Sequence, residues 1–364
     1  MTAAKSVLPF PPPSDHKNKP KVAIAYSAGS SHGAAGYGAT LALAEAGILD
    51  AIDIVAISGN SAGSWNGAAL AHGLAGETPS IAKAVDTQKA IWDAIKLDGS
   101  AQGVLRFMFA PLTATDPSAP KLHILEDMTA TGAAYTIDLM ASFAQNTPLG
   151  MFIKSTNAHN RDRIAKIVDF DAINASAVQF YTGALALRQG EPPEETITRN
   201  GNHSANTIAA SCAYVSPHII DGTAFKDAGL EKAVPIQVME ETGFDHLFVF
   251  GEKPHRGELL HPIHQREKTL RDGAPHAAKQ LAHHVAFLAR HKPYKITFFD
   301  FDLGDDESSR KNFTPSHIDG ITAHGYDRVQ AHTRAFGKDS VQWPSFDPGA
   351  YANALRDDMA CRIA

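Results

Sequence analysis

Residues Gly59-Asn60-Ser61-Ala62-Gly63 set a serine between two glycines in the spacing G-x-S-x-G. A serine becomes a useful nucleophile when a sharp strand-to-helix turn lifts its Oγ out of a sheet. Such a turn needs glycine two residues before and two after, because side chains there would collide across it. The same turn leaves Oγ at a helix N-terminus, where backbone N–H groups and the helix dipole favour a developing oxyanion. The five-residue pattern alone recurs by chance, so its flanks decide. A buried-strand pattern, Ile52 to Ser58 (IDIVAIS), runs into it, and a small-residue helix pattern, Ser64 to His72, runs out.

A second loop, Tyr26-Ser27-Ala28-Gly29-Ser30-Ser31-His32-Gly33, has the small residues that let backbone N–H groups face a ligand. It lacks the Gly-Lys-Ser/Thr of a phosphate-binding loop, and Gly33, Gly36 and Gly38 are misplaced for a dinucleotide fingerprint. Two strand-to-helix turns side by side on one sheet would bring Gly29 and Ser61 together at the carboxyl ends of the strands. That is the layout of an oxyanion hole beside a nucleophile. His32 reads as a structural cap of the loop rather than as a pH-sensitive anchor.

The serine needs a proton acceptor. With 18 histidines in the chain, a Ser–His–Asp triad stays open on residue types alone. A carboxylate alternative is Asp227 in Phe225-Lys226-Asp227-Ala228-Gly229-Leu230, where two small residues suit a tight turn in a crowded site.

The elements that must position these groups read as α/β. Lys21 to Tyr26 is a buried strand and Ala34 to Ala46 a helix that Gly47 can terminate. Strand–loop–helix repeated twice implies a parallel sheet with helices packed on it. Further helices are expected over Ile81–Ile95, Thr207–Ala213, Pro275–Arg290 and Pro315–Phe336, and strands over Gln179–Leu185, His246–Phe250 and Lys295–Phe301.

The 364 residues, 44% hydrophobic and 20% charged, suffice for one large globular domain. Residues 1–20 read as a flexible tail before a single domain over 21–364, with an elaborated region at about 97–155. A net charge of −6 argues against a nucleic-acid binder. Two distant cysteines, Cys212 and Cys361, make no disulfide framework. The first residues lack a signal-peptide apolar core, and no run of about 18 apolar residues offers a membrane span. A cytoplasmic protein is expected, its oligomeric state open. His276, His283, His284 and His291 share a face of an expected helix and read as a partly solvated surface, as does the His261/His264 pair; no metal site is expected. Apolar patches around Phe107 and Phe152 suit either an acyl pocket or lid, or the core of an inserted region.

Three blocks, in order, resemble the patatin-like phospholipase family, related to cytosolic phospholipase A2 catalytic domains. They are Ala28 to Gly33, then Leu43 through Ser64, and then Ala209-Ala210-Ser211-Cys212-Ala213 with Ile219 to Gly222 and Asp227 to Leu230. His324-Gly325-Tyr326 adds a weaker match. The resemblance implies a three-layer α/β/α sandwich with a mainly parallel central sheet. It further implies a histidine-free catalytic dyad of Ser61 and Asp227, oxyanion N–H groups at Gly29, Ser30 and Ala62, and no cofactor. The implied substrate is a fatty-acyl ester or phospholipid, with peripheral contact to lipid aggregates. The chain departs from the family in carrying Ala28 and Ser30 where glycines are usual, His32 where a basic residue is usual, and Asp-Ala-Gly at 227–229 in place of Asp-Gly-Gly or Asp-Gly-Ala. The alternatives are an α/β-hydrolase or acyltransferase with a Ser–His pair, and a non-catalytic lipid-binding relative.

Overall fold

A computed structural model describes residues 19–96, 160–188, 191, 193–213, 217–230, 234–251, 292, 294–301, 303 and 312–335. Its centre is a mixed sheet, and four of the seven pairings among the described residues are parallel. The strands are β1 (Lys21–Tyr26), β2 (Asp53–Gly59), β3 (Gln179–Leu187), β4 (Glu194–Thr198), β5 (His218–Ile220), β6 (Thr223–Asp227), β7 (His246–Gly251) and β8 (Lys295–Asp300). Their order is β5-β6-β3-β2-β1-β7-β8, with β4 beside β3. Helices α1 (Ala34–Glu45), α2 (Ala62–Leu74), α3 (Ile81–Ile95), α4 (Phe170–Asn174), α5 (Ala205–Ser211) and α6 (Pro315–Ala335) complete the α/β fold.

Both faces of the parallel part are buried, which is why its strands read as continuous apolar runs. Val22, Ile24 and Tyr26 of β1 join Phe248 and Phe250 of β7 in the larger core, beneath α1, α2, α3 and α6. Ala23, Ala25, Leu247 and Val249, the alternate residues, face a second core closed by Val234, Ile236, Met239 and Phe244. In β2 the strict alternation fails. Ile54 and Ile57 face the same core at a spacing of three, because the register with β1 slips by one residue between Val22 and Ala23. A bulge of this kind bends a strand and re-aims the residues beyond it, and the G-x-S-x-G turn stands at the end of β2.

Helix α1 ends as Gly47 requires. Gly47 has φ 71°, its N–H bonds to Ala44 O, and the Ile48 N–H reaches back to Leu43 O. This is a glycine-closed helix end. Helix α2 starts at Ala62, two residues before the expected Ser64, because Ser61 itself is its N-cap. Helix α5 lies at Ala205–Ser211 rather than Thr207–Ala213. A capping box sets its start, in which the Thr207 N–H bonds Ser204 Oγ and the Ser204 N–H bonds Thr207 Oγ1. Strands β4, β5 and β6 carry no strand signal in the sequence. Among the described residues, no helix is long and apolar enough to cross a membrane.

Several expectations lie outside the described residues. They are residues 1–18 of the tail, the region 97–155 with its Phe107 and Phe152 patches, and the helix over 275–290 with His276, His283, His284 and His291. The His261/His264 pair and Cys361 lie outside them as well.

Helices α1 and α6 meet through glycine. A methyl group on Gly38 would lie 1.9 Å from Thr322 O, and one on Gly325 would lie 2.2 Å from Ala35 O. Both obstacles are backbone, so the helices would have to separate. Gly38→Ala or Gly325→Ala is therefore expected to destabilise the protein by about 1–3 kcal/mol. The midpoint of urea unfolding should fall, with its slope unchanged.

Candidate active site

The turn after β2 shows why both its glycines are needed. A Cβ on Gly59 would sit 2.2 Å from Gly63 O, and a Cβ on Gly63 would sit 2.2 Å from Tyr26 O. The first contact closes the turn on itself. The second presses the turn against the end of β1, so β1 and β2 deliver their loops to one place. Ser61 between them adopts φ 53° and ψ −129°, a conformation that non-glycine residues hold only when their surroundings impose it.

Asn60 is fully buried, and its Oδ1 accepts the Gly183 N–H at 2.8 Å. The backbone ladder between β2 and β3 runs only from Ala56↔Gln179 to Ser58↔Tyr181. Beyond it, the Asn60 amide substitutes for a strand neighbour. A Cβ on Gly183 would come within 2.9 Å of that Oδ1.

Asp227 ends β6, which pairs antiparallel with β3 through Ala184↔Asp227. Strand β3 thus carries the strand that leads to Ser61 on residues 179–181 and the strand that ends at Asp227 on residues 184–187. The Asp227 carboxyl is buried, takes a side-chain hydrogen bond from Ser61, and accepts the Gly229 N–H on Oδ1 at 2.7 Å. Burial pushes its pKa up from 3.8 to about 7, and the hydrogen bonds from Ser61 and Gly229 only partly oppose that rise. Gly229 fits between partners: a Cβ there would be 2.5 Å from Ala28 Cβ, 2.9 Å from Asp227 Oδ1 and 3.3 Å from Ser61 Cβ. With alanine at 28, where the resembled family has glycine, residue 229 has to be glycine.

The loop after β1 lies against the start of α2. A Cβ on Gly33 would approach Ala62 Cβ to 2.6 Å. Asn66 of α2 donates from Nδ2 to Gly33 O at 2.8 Å, and its Oδ1 accepts the Trp92 Nε1–H from α3 at 2.8 Å. Gln88 donates to Asn66 O at 3.2 Å, which ties the same helices together again. Ser30 takes φ 54°, the kind of backbone a glycine would adopt without strain. Gly29 and Ser30 lie in this loop, and Ala62 heads α2, whose first N–H groups have no partner within the helix. His32 is turned inward, 2% exposed, with its ring 6.3 Å from that of His317.

Ser61 and Asp227 are therefore in hydrogen-bond contact, and the loop carrying Gly29 and Ser30 is packed against the helix that Ala62 heads. Asn60, Asn66, Trp92 and Gly183 are site residues that sequence reasoning misses. The amide–indole tie between Asn66 and Trp92 joins two helices and leaves no local spacing signal. Asn60 sits inside the motif, at a position the pattern leaves unspecified.

No protein-family model matches the chain, and no curated protein sequence does either. Among solved structures, the chain is similar to VipD from Legionella pneumophila at 13% identity and a TM-score of 0.37, with 94% of this chain and 74% of that one covered. It is similar to human GIVD cytosolic phospholipase A2 at 12% identity and a TM-score of 0.44, covering 94% of this chain and 60% of that one. A third is from the complex of SpcU with ExoU of the Pseudomonas aeruginosa type III secretion system. There the identity is 17%, the TM-score 0.29, and the coverage 86% of this chain and 53% of that one.

A buried carboxyl with a raised pKa makes stability depend on pH. Between about 4 and about 7 the folded protein holds a proton on Asp227 that the unfolded chain has released, so stability falls as pH rises across that window. At about 1.4 kcal/mol per unit, the loss is bounded at roughly 4 kcal/mol. Asp227→Asn keeps an acceptor for Gly229 and carries no charge. It should melt at a higher temperature than wild type at pH 8, with the advantage fading toward pH 4. Equal melting temperatures at both pH values would contradict the burial argument.

Proposed function

We propose that this chain is a serine acyl-ester hydrolase in which Ser61 and Asp227 act as a dyad. One observation carries the reading. A serine held at φ 53° on a glycine-flanked turn donates its hydroxyl to a buried carboxyl whose pKa is pushed up to about 7. An ordinary aspartate near pKa 4 is too weak a base for an alcohol, whereas one near 7 is matched to neutral pH.

Ser61 Oγ attacks the ester carbonyl while Asp227 takes its proton. Negative charge gathers on the former carbonyl oxygen, which is received by the N–H groups of Gly29, Ser30 and Ala62. The C–O bond to the alcohol breaks, and Asp227 returns the proton to the leaving oxygen. Water then attacks the acyl-enzyme, giving up its proton to Asp227. Collapse of the second tetrahedral species frees the acid, and Ser61 regains a proton from Asp227. In this reading the residues over 21–364 form one catalytic domain. The substrate is a fatty-acyl ester or phospholipid met at lipid aggregates, a reading drawn from the motifs' resemblance to the patatin-like phospholipase family.

The test is covalent labelling with a fluorophosphonate, with the modified residue located by mass spectrometry. Ser61 should be labelled in wild type, and Asp227→Asn should lose about 10²–10⁴-fold in rate, the range for removal of a general base. Labelling that persists in Asp227→Asn would transfer the base role to another group. Absence of label from folded wild type would end the hydrolase reading.

The base must be ionised to work. Hydrolysis of a soluble p-nitrophenyl ester should therefore rise with pH and level off above a midpoint near 7. A midpoint in kcat/KM near 4 would show a carboxylate unperturbed in the working enzyme.

A further inference from the structure

We propose that three consecutive residues, Ser211-Cys212-Ala213, form a positioning strap that sets Ser61 at its distance and angle from Asp227. The proposal rests on the reading of these two as nucleophile and base. The strap leaves the end of α5, and each of its residues holds one backbone group of the site. Ser211 Oγ accepts the Ser61 N–H at 3.1 Å. The Cys212 thiol donates to Ser61 O at 3.2 Å. Ala213 O accepts the Asp227 N–H at 3.2 Å. One short run of chain therefore grips both ends of the nucleophile's backbone and the backbone of its base.

The need for such a grip arises from the turn. The ladder of β2 on β3 stops at Ser58↔Tyr181, so the Ser61 N–H has left the sheet. Without an acceptor it would be an unmet donor in a partly buried place, which disfavours the turn. A positive φ relaxes unless contacts on both sides of the residue hold it. Ser211 supplies the contact on the N–H side. On the carbonyl side, Ser61 O receives the Ser64 hydroxyl at 2.6 Å and the Ser64 N–H at 2.8 Å besides the Cys212 thiol.

The strap itself is fixed. Thr182 Oγ1 donates to Ser211 Oγ at 3.0 Å, which locks that hydroxyl in place from β3, and Ser211 is fully buried. The Cys212 N–H bonds back to Ile208 O and Ala209 O, and the Ala213 N–H to Ala210 O. Burial and the nearby Asp227 charge push the Cys212 pKa well up, so the sulfur keeps the proton it donates. Cys212 thus acts as a donor and not as a reactive thiolate. The strap meets the site through the backbones of Ser61 and Asp227, so its residues are positioning residues that act through those two.

The test compares full-length wild type with Ser211→Ala, Cys212→Ala and Cys212→Ser. The readouts are the fluorophosphonate labelling rate of Ser61 per folded molecule and the titration midpoint of Asp227 by carboxyl carbon NMR. Ser211→Ala and Cys212→Ala should each slow labelling by about 10- to 100-fold, as sub-ångström to 1 Å misplacement does. In an ester assay the same loss should fall on kcat, with KM little changed. Both variants should also raise the Asp227 midpoint, because a displaced Ser61 no longer lowers it. Cys212→Ser keeps a donor and should recover most of the rate. Wild-type labelling rates per folded molecule in both alanine variants would overturn the strap, whatever their melting temperatures. If Ser211→Ala does not fold, the Cys212→Ala and Cys212→Ser pair decides. If wild type is unlabelled at Ser61, the nucleophile reading falls. The strap is then judged on the Asp227 midpoint alone, and an unchanged midpoint would overturn it too.

Discussion

The hydrogen bond between Ser61 and the buried Asp227 carboxyl is the constraint around which the rest is arranged. Its two ends are far apart in sequence and stand on strands that do not pair with each other. Strand β2 brings Ser61 and β6 brings Asp227, and β3 pairs with both. The bond can form only if β3 passes its first residues to one strand and its later residues to the other. Glycine at 183, between the two pairings, leaves room for the Asn60 amide that bridges the change.

Close approach governs the site more than any single strong bond. Gly59, Gly63, Gly183 and Gly229 each stand where a methyl group would strike a neighbour at less than 3 Å. Three of those obstacles are groups of the site itself: the turn's own backbone for Gly59, the Asn60 amide for Gly183, and Ala28 with Asp227 for Gly229. Ala28 packs against Gly229, where a Cβ would lie 2.5 Å from its own. Ser30 keeps a left-handed φ of 54° where a glycine would pass without strain.

Much of this was legible in the chain. The parallel strands announce themselves because both faces are buried, so Lys21–Tyr26 and His246–Gly251 read as apolar runs. The G-x-S-x-G turn was readable because sterics tie glycine to that spacing. Strands β4, β5 and β6 were not readable. Glu194–Thr198 is half exposed and charged, His218–Ile220 has only three residues, and Thr223–Asp227 is buried only at Lys226 and Asp227. Their strand character comes from pairing with β3, a long-range partner that local pattern does not show. The one-residue slip in β2 was hidden for the same reason. Ile54 and Ile57 at a spacing of three fit no strand alternation until the β1 register is known. Asp227 was visible only as a short Asp-Ala-Gly turn, and its burial, which raises its pKa, is tertiary.

A buried carboxyl and a strained serine both lower stability, and beside them a buried polar network ties the flanking helices to one another and to the loop after β1. Tyr26, Thr40, Gln88, Asn66 and Trp92 form a chain of buried polar groups from β1 through α1, α2 and α3. In it Tyr26 Oη meets Thr40 Oγ1 at 2.7 Å, and Trp92 closes on Asn66. Burial pushes the Tyr26 phenol up to about 12, so it stays neutral, and the network carries no charge to desolvate. A neutral, fully buried scaffold of this kind fixes geometry without competing electrostatically with Asp227. The ionisable group in contact with the Ser61 side chain is the Asp227 carboxyl. That carboxyl is held beside Ser61, and its burial brings its protonation to near neutral pH.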